Sequence, residues 1–450
     1  MIFLCYTKNL MILLSSIILY IIHSLLILST NINVYPEFFV FPWLVRLGYL
    51  PYRDFFDQHG FLLYYILAPF TIDKTLSSIK IIYFLFQTLN LTFFLIILRR
   101  TTNRAGFLLA GLIYVLASYY TSENNFWYEI PIALIFSLLY LLTLIKSFKR
   151  NLMMTALLAS AASMIKPTAA TIFIPLLYVY KSPKLIAHFA LFWIGTVIYF
   201  LYQNGLYALI DNLFLFNRHY ATYFSQNPVV FINLRFAKIS LLIFLICFLF
   251  VLLQKKIKRA TTILLFIFTS SIFLLPIFAT YNLAPIVLFS TIFVAYAIKV
   301  SQKWWKYSLY AFLIFYIFVL FGYAKNRFAT NAIRIPYIEQ ETTKRIVELV
   351  KTISIKNKGV FILGTQVELY FLLDKKPPTY FPFIVPWLTR YYPTIEQQLI
   401  NEIKMNGVQI VLVPQPFSNY YKDFFALKNF IEENYSIATS SPDVQVYTKK

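Results

Sequence analysis

The chain is 450 residues long and strongly apolar: 60% of its residues are hydrophobic, 20% are aromatic and only 13% are charged. Soluble domains carry roughly a quarter charged residues, so this composition excludes a soluble protein and indicates an integral membrane protein. A formal charge of +22 suggests nucleic-acid binding only in a soluble protein. Here the basic residues must first be assigned to a side of the bilayer, and we predict no nucleic-acid partner.

Eleven apolar segments follow along the chain. A helix crosses the bilayer with about 20 residues, and with somewhat fewer inside a bundle. The first segment is too long for a signal-peptide core and has no small-residue cleavage site after it, so we interpret it as a retained membrane helix. We place the spans at 10–30, 79–98, 105–121, 129–145, 151–165, 168–181, 185–203, 237–253, 260–278, 283–299 and 307–324.

The loops between these spans differ in charge. If the N-terminus is cytoplasmic, the inner loops hold sixteen Lys and Arg and no Asp or Glu, as the positive-inside rule expects. These loops are 1–9, 99–104, 146–150, 181–184, 254–259 and 299–306. All seven acids before residue 325 then lie on the other side of the membrane. We therefore predict a multi-pass protein of the plasma or inner membrane that uses its carboxylates outside the cytoplasm.

The composition changes after residue 324. We predict a transmembrane domain at 1–324 and a soluble extracytoplasmic α/β domain at 325–450, because an odd number of spans places the C-terminus outside. The second region has no GxGxxG, P-loop or nucleophile-elbow motif, so we assign it no catalytic motif. Its helix-like stretches, 339–356, 394–405 and 422–434, alternate with strand-like stretches at 359–364, 408–414 and a final run ending in VQVYTK.

The first outer loop, residues 31–78, is long and aromatic. Its segment 37–47 is amphipathic, which predicts a helix along the membrane surface with Glu37 at one end. In the stretch GYLPYRDFFDQHGFL (48–62), Asp54 and Asp57 would face the same way on a helical turn. These acids beside Arg53 are either a structural ion-pair cluster or a chemical site. Ionisable residues at a membrane boundary cost energy, which favours the site.

Two ionisable residues further along the chain, Glu129 and Lys166, also have either a structural role or a role in a site. Glu129 begins an apolar segment, where an acid is either a helix-dipole partner or part of a site. Lys166 lies between two apolar runs, where a lysine requires a carboxylate, a phosphate or a water-filled cavity.

The third outer loop, 204–236, combines Arg218 and Arg235 with many aromatic residues. Arginine forks suit phosphate, although a loop that contacts headgroups is the alternative. Tyr281 lies at the outer end of another span and is a candidate for the same cavity. No His or Cys cluster has metal-ligand spacing, so we predict no cofactor and leave a divalent metal open.

The order of these features resembles the GT-C superfamily of polytopic glycosyltransferases. A first span is followed by an outer loop with an acid, then G-x-x-P-Y-R-D-F-F-x-x-H-G and an apolar helix start. The branch of protein O-mannosyltransferases and the lipid A aminoarabinose transferase, with its uncharacterised bacterial relatives, is the most similar. The tail segment GVFILGTQVELYFLLDKKPPTYFPF is similar to the extracytoplasmic tails of those relatives. The fold class expected is therefore a polytopic α-helical, GT-C-like membrane protein with a small C-terminal α/β domain.

The resemblance implies inverting transfer of a sugar from a polyprenyl-phosphate donor, in the bilayer and outside the cytoplasm, to an acceptor protein, lipid or glycan. It also implies that a first-loop acid is the catalytic base. The family's usual Asp-Glu pair falls on Val34 and Tyr35, so the base remains open between Glu37 and Asp54. The implied substrate-binding residues are Arg53, Asp57, His59, Glu129, Lys166, Arg218, Arg235 and Tyr281.

A transporter or flippase is the main alternative, because such proteins are also polytopic. Transporters tend to show repeated halves with charges at mid-membrane, whereas this chain has no matching halves and places its acids in loops. An oligosaccharide polymerase or ligase is a second alternative, but those proteins concentrate arginines in one late loop.

Overall fold

The computed structural model describes residues 2–145, 152–226, 233–255, 257–275, 279–353, 359–385, 388–414 and 424–450. Several predicted segments lie wholly or partly outside these ranges. They are the inner loop 146–150, residue 256 of the inner loop 254–259, residues 227–232 of the third outer loop, and the ends of the spans 151–165 and 260–278 and of the helices 339–356 and 422–434.

Helices dominate the chain up to residue 333. In order, the elements are α1 (Ile2–Leu28), β1 (Asn33–Val34), α2 (Val40–Arg46), α3 (Leu62–Leu67), α4 (Ser77–Thr101), α5 (Arg104–Ser122), β2 (Asn125–Phe126), α6 (Glu129–Leu144), α7 (Leu152–Ile165), α8 (Phe173–Tyr180), α9 (Lys184–Tyr202), α10 (Leu206–Ile210), α11 (Asn217–Gln226), α12 (Leu234–Leu253), α13 (Ile257–Ser271), α14 (Ala284–Val300) and α15 (Lys303–Ile333).

The remaining elements alternate between helix and strand. They are α16 (Glu341–Thr352), β3 (Gly359–Ile362), α17 (Glu368–Leu373), α18 (Leu388–Tyr391), α19 (Ile395–Met405), β4 (Val408–Pro414), α20 (Phe425–Asn434), β5 (Tyr435–Ser440) and β6 (Val444–Lys449). Short 3-10 turns lie at Pro36–Phe38, Ala68–Phe70, Pro167–Ile172, Ile272–Leu274, Thr280–Leu283 and Tyr337–Glu339, and a π-helix lies at Asp211–Phe216.

Seven described segments are long and apolar enough to cross a membrane by length and composition: Leu10–Leu28, Ser77–Thr101, Arg104–Ser122, Lys184–Tyr202, Arg235–Leu253, Thr280–Val300 and Trp304–Thr352. Four shorter apolar segments accompany them: Glu129–Leu144, Leu152–Ile165, Pro167–Tyr180 and Arg259–Leu274. Each of these segments overlaps one of the eleven predicted spans, and Trp304–Thr352 extends well past the predicted end at residue 324. The prediction of a polytopic α-helical membrane protein is confirmed.

The chain packs as two compact units. The first comprises Met1–Asn33, Lys80–Thr196 and Ala221–Arg334. Within it, α1, α14 and α15 all pack against α5. Gly111 of α5 permits a close approach of α1, since a Cβ at that position would lie 2.3 Å from Cδ1 of the buried Leu19. Small residues at helix interfaces allow such approaches in membrane proteins.

The second unit comprises Val34–Ile79, Val197–Tyr220 and Ile335–Lys450. Its sheet has the order β3-β4-β6-β5, with β3 and β4 parallel and the other neighbours antiparallel. The predicted small α/β region is confirmed, and the predicted run ending in VQVYTK is β6. The predicted domain division between residues 324 and 325 stays a prediction.

The first outer loop shares a hydrophobic core with this sheet. Phe56 from the loop and Phe216 from the π-helix lie in the same buried cluster as Phe361 of β3 and Val411 of β4. Residues that are distant in the sequence therefore position the loop, because burying these aromatic rings together removes a large apolar area from water.

The prediction of a surface helix at 37–47 is wrong. α2 is shorter, and its residues Val40 to Leu44 are all buried. Phe371 of α17 covers this segment: its ring centroid lies 5.2 Å from that of Phe39 and 5.8 Å from that of Trp43. An amphipathic pattern cannot show that a later part of the chain covers the second face of a helix.

Candidate active site

The stretch 48–62 forms turns up to residue 60 rather than a helix. Both carboxylate oxygens of Asp54 accept hydrogen bonds from the Arg53 guanidinium at 2.7 Å, and Oδ2 also accepts from the Leu50 backbone N–H at 2.7 Å. Arg53 donates a further bond to the Gln203 carbonyl at 2.9 Å. Asp54 therefore closes a turn of the loop and pairs with its neighbour.

Asp57 has a different environment from Asp54. It is 1% exposed and accepts hydrogen bonds from the His59 backbone N–H at 3.0 Å, from His59 Nδ1 at 3.1 Å and from the Tyr64 hydroxyl. The prediction that the two aspartates share a helical face is wrong, because residues 50–60 are not helical. Asp57 instead orients the His59 ring inside the unit.

Glu37 lies in the 3-10 turn Pro36–Phe38. Its Oε2 is buried, and no residue in the described part of the chain hydrogen bonds to that oxygen. Burial raises the pKa of the Glu37 carboxyl, His59 acts to lower it, and the charge of Asp57 acts to raise it, so that the net direction is upward. Glu37, Asp57 and His59 therefore interact electrostatically within one unit.

Glu368, the first residue of α17, joins this group and was not predicted from the sequence. It is 4% exposed. Burial, together with the charge of Glu37, raises the pKa of its carboxyl to about 7. The sequence signal that could have identified Glu368 is its position directly before an apolar run, LYFLL. We call Glu37, Asp57, His59, Tyr64 and Glu368 the carboxyl cluster.

We expect Asp57→Ala to destabilise the protein by about 3 kcal/mol or more, because each buried donor left without a partner costs about 1–3 kcal/mol. Asp54→Ala is the matched comparison. Its pair with Arg53 is partly exposed, with side chains 25% and 37% exposed, and such pairs contribute about 0–1 kcal/mol. Thermal unfolding of the two purified variants measures the difference, and equal losses would contradict the role given to Asp57.

A second polar site lies in the first unit. Lys166 separates α7 from the 3-10 turn Pro167–Ile172, and its ammonium donates a hydrogen bond to Glu129 Oε1. Its Nζ also lies 5.3 Å from the centroid of the Phe273 ring. Glu129 is 0% exposed, and its Oε2 accepts no hydrogen bond from any residue that the structure describes. Lys166 was predicted to need a carboxylate, a phosphate or a water-filled cavity, and the structure shows a carboxylate.

Comparison of folds identifies the architecture. The crystal structure of the oligosaccharyltransferase of Archaeoglobus fulgidus, tethered to an acceptor peptide containing the NVT sequon, matches with a TM-score of 0.53 and 11% identity, covering 99% of this chain and 75% of that chain. The chain has a GT-C-type fold. At the level of sequence, no family model and no curated protein matches it.

Two other solved structures are similar at lower scores. One is the archaeal oligosaccharyltransferase AglB from Archaeoglobus fulgidus with an inhibitory peptide and a dolichol-phosphate (TM-score 0.49, 11% identity, 98% of this chain and 74% of that chain). The other is the mycobacterial arabinofuranosyltransferase AftD (TM-score 0.46, 11% identity, 97% of this chain and 41% of that chain). The first match confirms the predicted GT-C-like fold, and the predicted branch stays a prediction.

Three further residues predicted for the site are Arg218, Arg235 and Tyr281. Arg218 is exposed on α11. Arg235 is exposed in the first turn of α12, where its backbone N–H is capped by Asn233 Oδ1 at 3.0 Å. The ring of Tyr281 lies 4.6 Å from that of Trp127. In the described ranges, no group of three or more His, Cys, Asp or Glu has the geometry to hold a metal ion.

Proposed function

We propose that the chain is a membrane glycosyltransferase that moves a sugar, with inversion, from a polyprenyl-phosphate-linked donor to an acceptor on the extracytoplasmic side. The observation that carries the proposal is Glu37, a first-loop carboxylate whose Oε2 is buried and accepts no hydrogen bond from the described residues, in a chain with a GT-C-type fold. The inner loops are basic and hold no Asp or Glu, which supports an inside N-terminus and an outside C-terminal region.

In the proposed reaction, a hydroxyl oxygen of the acceptor attacks the anomeric carbon of the donor. Its proton passes to the Glu37 carboxylate while the bond between the anomeric carbon and the phosphate oxygen breaks. The lipid phosphate leaves with the electron pair of that bond. A general base works best when its pKa lies near the working pH, and the upward shift of the Glu37 pKa is in that direction.

Glu37 is a better candidate for the base than Asp54. Both oxygens of Asp54 accept hydrogen bonds from Arg53, and one accepts a third from Leu50. Hydrogen bonds to an ionised carboxylate favour its charged form and so weaken it as a proton acceptor. We propose that Asp54 shapes the loop and that Glu37 takes the proton.

The substrate-binding roles remain proposals. Arginine and lysine stabilise a departing phosphate by charge and hydrogen bonding, which we propose for Lys166, Arg218 and Arg235. His59 is held by Asp57 and can donate from its ring to a substrate oxygen. The other candidates for contacts with the sugar, the acceptor or the lipid chain are Arg53, Asp57, Glu129 and Tyr281.

The experiment is donor identification. The purified full chain in lipid nanodiscs is incubated with a panel of polyprenyl-phosphate sugars and a mixture of acceptor peptides, lipids and glycans, and released polyprenyl phosphate is measured. We expect release with at least one donor. No release with any donor, together with substrate transport in reconstituted vesicles, would overturn the proposal in favour of a transporter or flippase.

A further inference from the structure

A groove lies between α1 and α4 in the first unit, at the end of these helices that the charge pattern predicts to be cytoplasmic. Its volume is about 590 Å³. Leu10 and Leu13 of α1 and Leu95 and Ile96 of α4 line its sides, and Phe107 of α5 also lines it. A cavity of this size with mostly apolar walls is typical of a ligand site.

The hydroxyl groups along the groove are hydrogen bonded within the protein. Thr92 Oγ1 donates to the Thr88 carbonyl at 2.8 Å and accepts from the Tyr20 hydroxyl of α1 at 2.8 Å. Ser16 donates to the Ile12 carbonyl at 2.8 Å. An apolar chain can therefore fill the groove without leaving these hydroxyls unpaired, which would cost free energy.

Positive charge lies at one end of the groove. Arg99, in the last turn of α4, lines the cavity and is exposed. No described carboxylate lies within ion-pair distance of it. Arg104 begins α5 and donates from Nη1 to Met11 Sδ of α1 at 3.6 Å, which places a second guanidinium at the same end. The inner loop 99–104 holds no Asp or Glu, so this charge is free to bind an anion.

The length of the groove fits one leaflet of the bilayer. From Leu10 to Tyr20, α1 rises about 15 Å at about 1.5 Å per residue, whereas the hydrocarbon core is about 30 Å thick. Tyr20 and Thr92 line the deep end of the groove, and Arg99 lines the other end. A phospholipid has the matching form, with apolar chains in one leaflet and a headgroup at the membrane surface.

We propose that this groove binds an anionic phospholipid, with an acyl chain between α1 and α4 and the phosphate held by Arg99 and Arg104. Guanidinium groups bind phosphate oxygens through paired, charge-assisted hydrogen bonds. Basic pockets between membrane helices on the cytoplasmic side suit anionic headgroups. A polyprenyl phosphate has similar chemistry, but the proposed sugar transfer uses it at the opposite, extracytoplasmic end of the spans. The lipid site is independent of the proposed glycosyltransferase function.

The test is lipid binding to the purified full chain, which is stripped of lipid in detergent and measured by native mass spectrometry. Phosphatidylglycerol is compared with phosphatidylcholine that carries the same acyl chains, so that the two probes differ in headgroup charge. We expect phosphatidylglycerol to bind about fivefold more tightly or better, as one or two basic residues at a membrane surface provide. Equal affinities for the two lipids would overturn the proposal.

Arg99→Gln is expected to lose most of this preference, because glutamine keeps a polar side chain but removes the charge. Arg100 is also exposed at the end of α4 but does not line the groove. Arg100→Gln is therefore the matched control and should keep the preference. An unchanged preference in a folded Arg99→Gln would show that the headgroup does not bind at this end of the groove.

Ser16→Phe tests the apolar part of the groove. The added ring occupies the space of several methylene groups of the acyl chain, so we expect both lipids to bind about tenfold more weakly. Leu14 is on the same helix, is 51% exposed and does not line the groove, so Leu14→Phe should bind like the wild type. Thermal unfolding verifies the fold of each variant, and Arg99→Gln decides the question if Ser16→Phe fails to fold.

A photoreactive acyl chain on phosphatidylglycerol locates the site. We expect crosslinks to α1 and α4, and crosslinks confined to other helices would contradict the proposal. Displacement of the probe by a lower concentration of polyprenyl phosphate would assign the groove to that lipid instead. Dimers that exclude the probe would assign it to a second copy of the chain.

Discussion

Glu37→Gln is expected to lower the rate of sugar transfer by about 10²- to 10⁴-fold, the usual contribution of a general base. Glutamine preserves the size of the side chain and its packing in the turn Pro36–Phe38 but cannot take a proton from the acceptor. The variant should therefore keep the fold and the affinity for the donor. Single-turnover kinetics with a donor identified in the panel measures the loss, and thermal unfolding at pH 6 and pH 8 verifies the fold.

Asp54→Asn provides the comparison that assigns the base. If Asp54 shapes the loop through Arg53 and Leu50, asparagine keeps part of that hydrogen bonding, and we expect a loss of about tenfold or less, well below that expected for removal of the base. Full activity in Glu37→Gln together with a large loss in Asp54→Asn would assign the base to Asp54. The exposed Glu348→Gln should match the wild type in both assays.

Lys166→Met is expected to destabilise the protein by about 3–5 kcal/mol, because removing one partner leaves a buried charge uncompensated. The charge at issue is that of Glu129, which is 0% exposed. The double variant Glu129→Gln/Lys166→Met removes both charges and should recover most of the lost stability. Thermal unfolding of the two single variants and the double variant forms a mutant cycle that measures the coupling.

The same cycle separates a structural role of Lys166 from a role in binding. If the lysine also holds the donor phosphate, the double variant regains stability but not transfer. Lys184, exposed at the start of α9, provides the control Lys184→Met, which should change stability by about 0.5 kcal/mol or less. Equal stability of Lys166→Met and the double variant would show that the ion pair is not what makes Lys166 important.

Local pattern was enough to predict much of this molecule. The apolar spans coincide with helices because a long apolar run in a bilayer has few alternatives to a helix. The strands β3 and β4 match the predicted runs at 359–364 and 408–414, since short apolar runs between turns favour buried strands. The resemblance to the GT-C superfamily was likewise present in the order of spans, loop and tail.

The three-residue spacing of Asp54 and Asp57 predicted the wrong side-chain orientation, because the backbone there is irregular. Asp54 and Asp57 are three residues apart, yet the first pairs at the surface with Arg53 and the second is buried with His59 and Tyr64. Periodicity assigns side chains to faces only within regular helices and strands. In a loop, the turns and their hydrogen bonds decide where each side chain points.

The sequence by itself determined the membrane class, the helical spans and the presence of a first-loop acid at Glu37, because composition and hydrophobic period are local properties of the chain. The tertiary structure alone decided that Glu368 is buried in the same compact unit as Glu37 and that α2 is covered by α17. Such contacts depend on the packing of aromatic rings between segments more than 300 residues apart, and no local period encodes them.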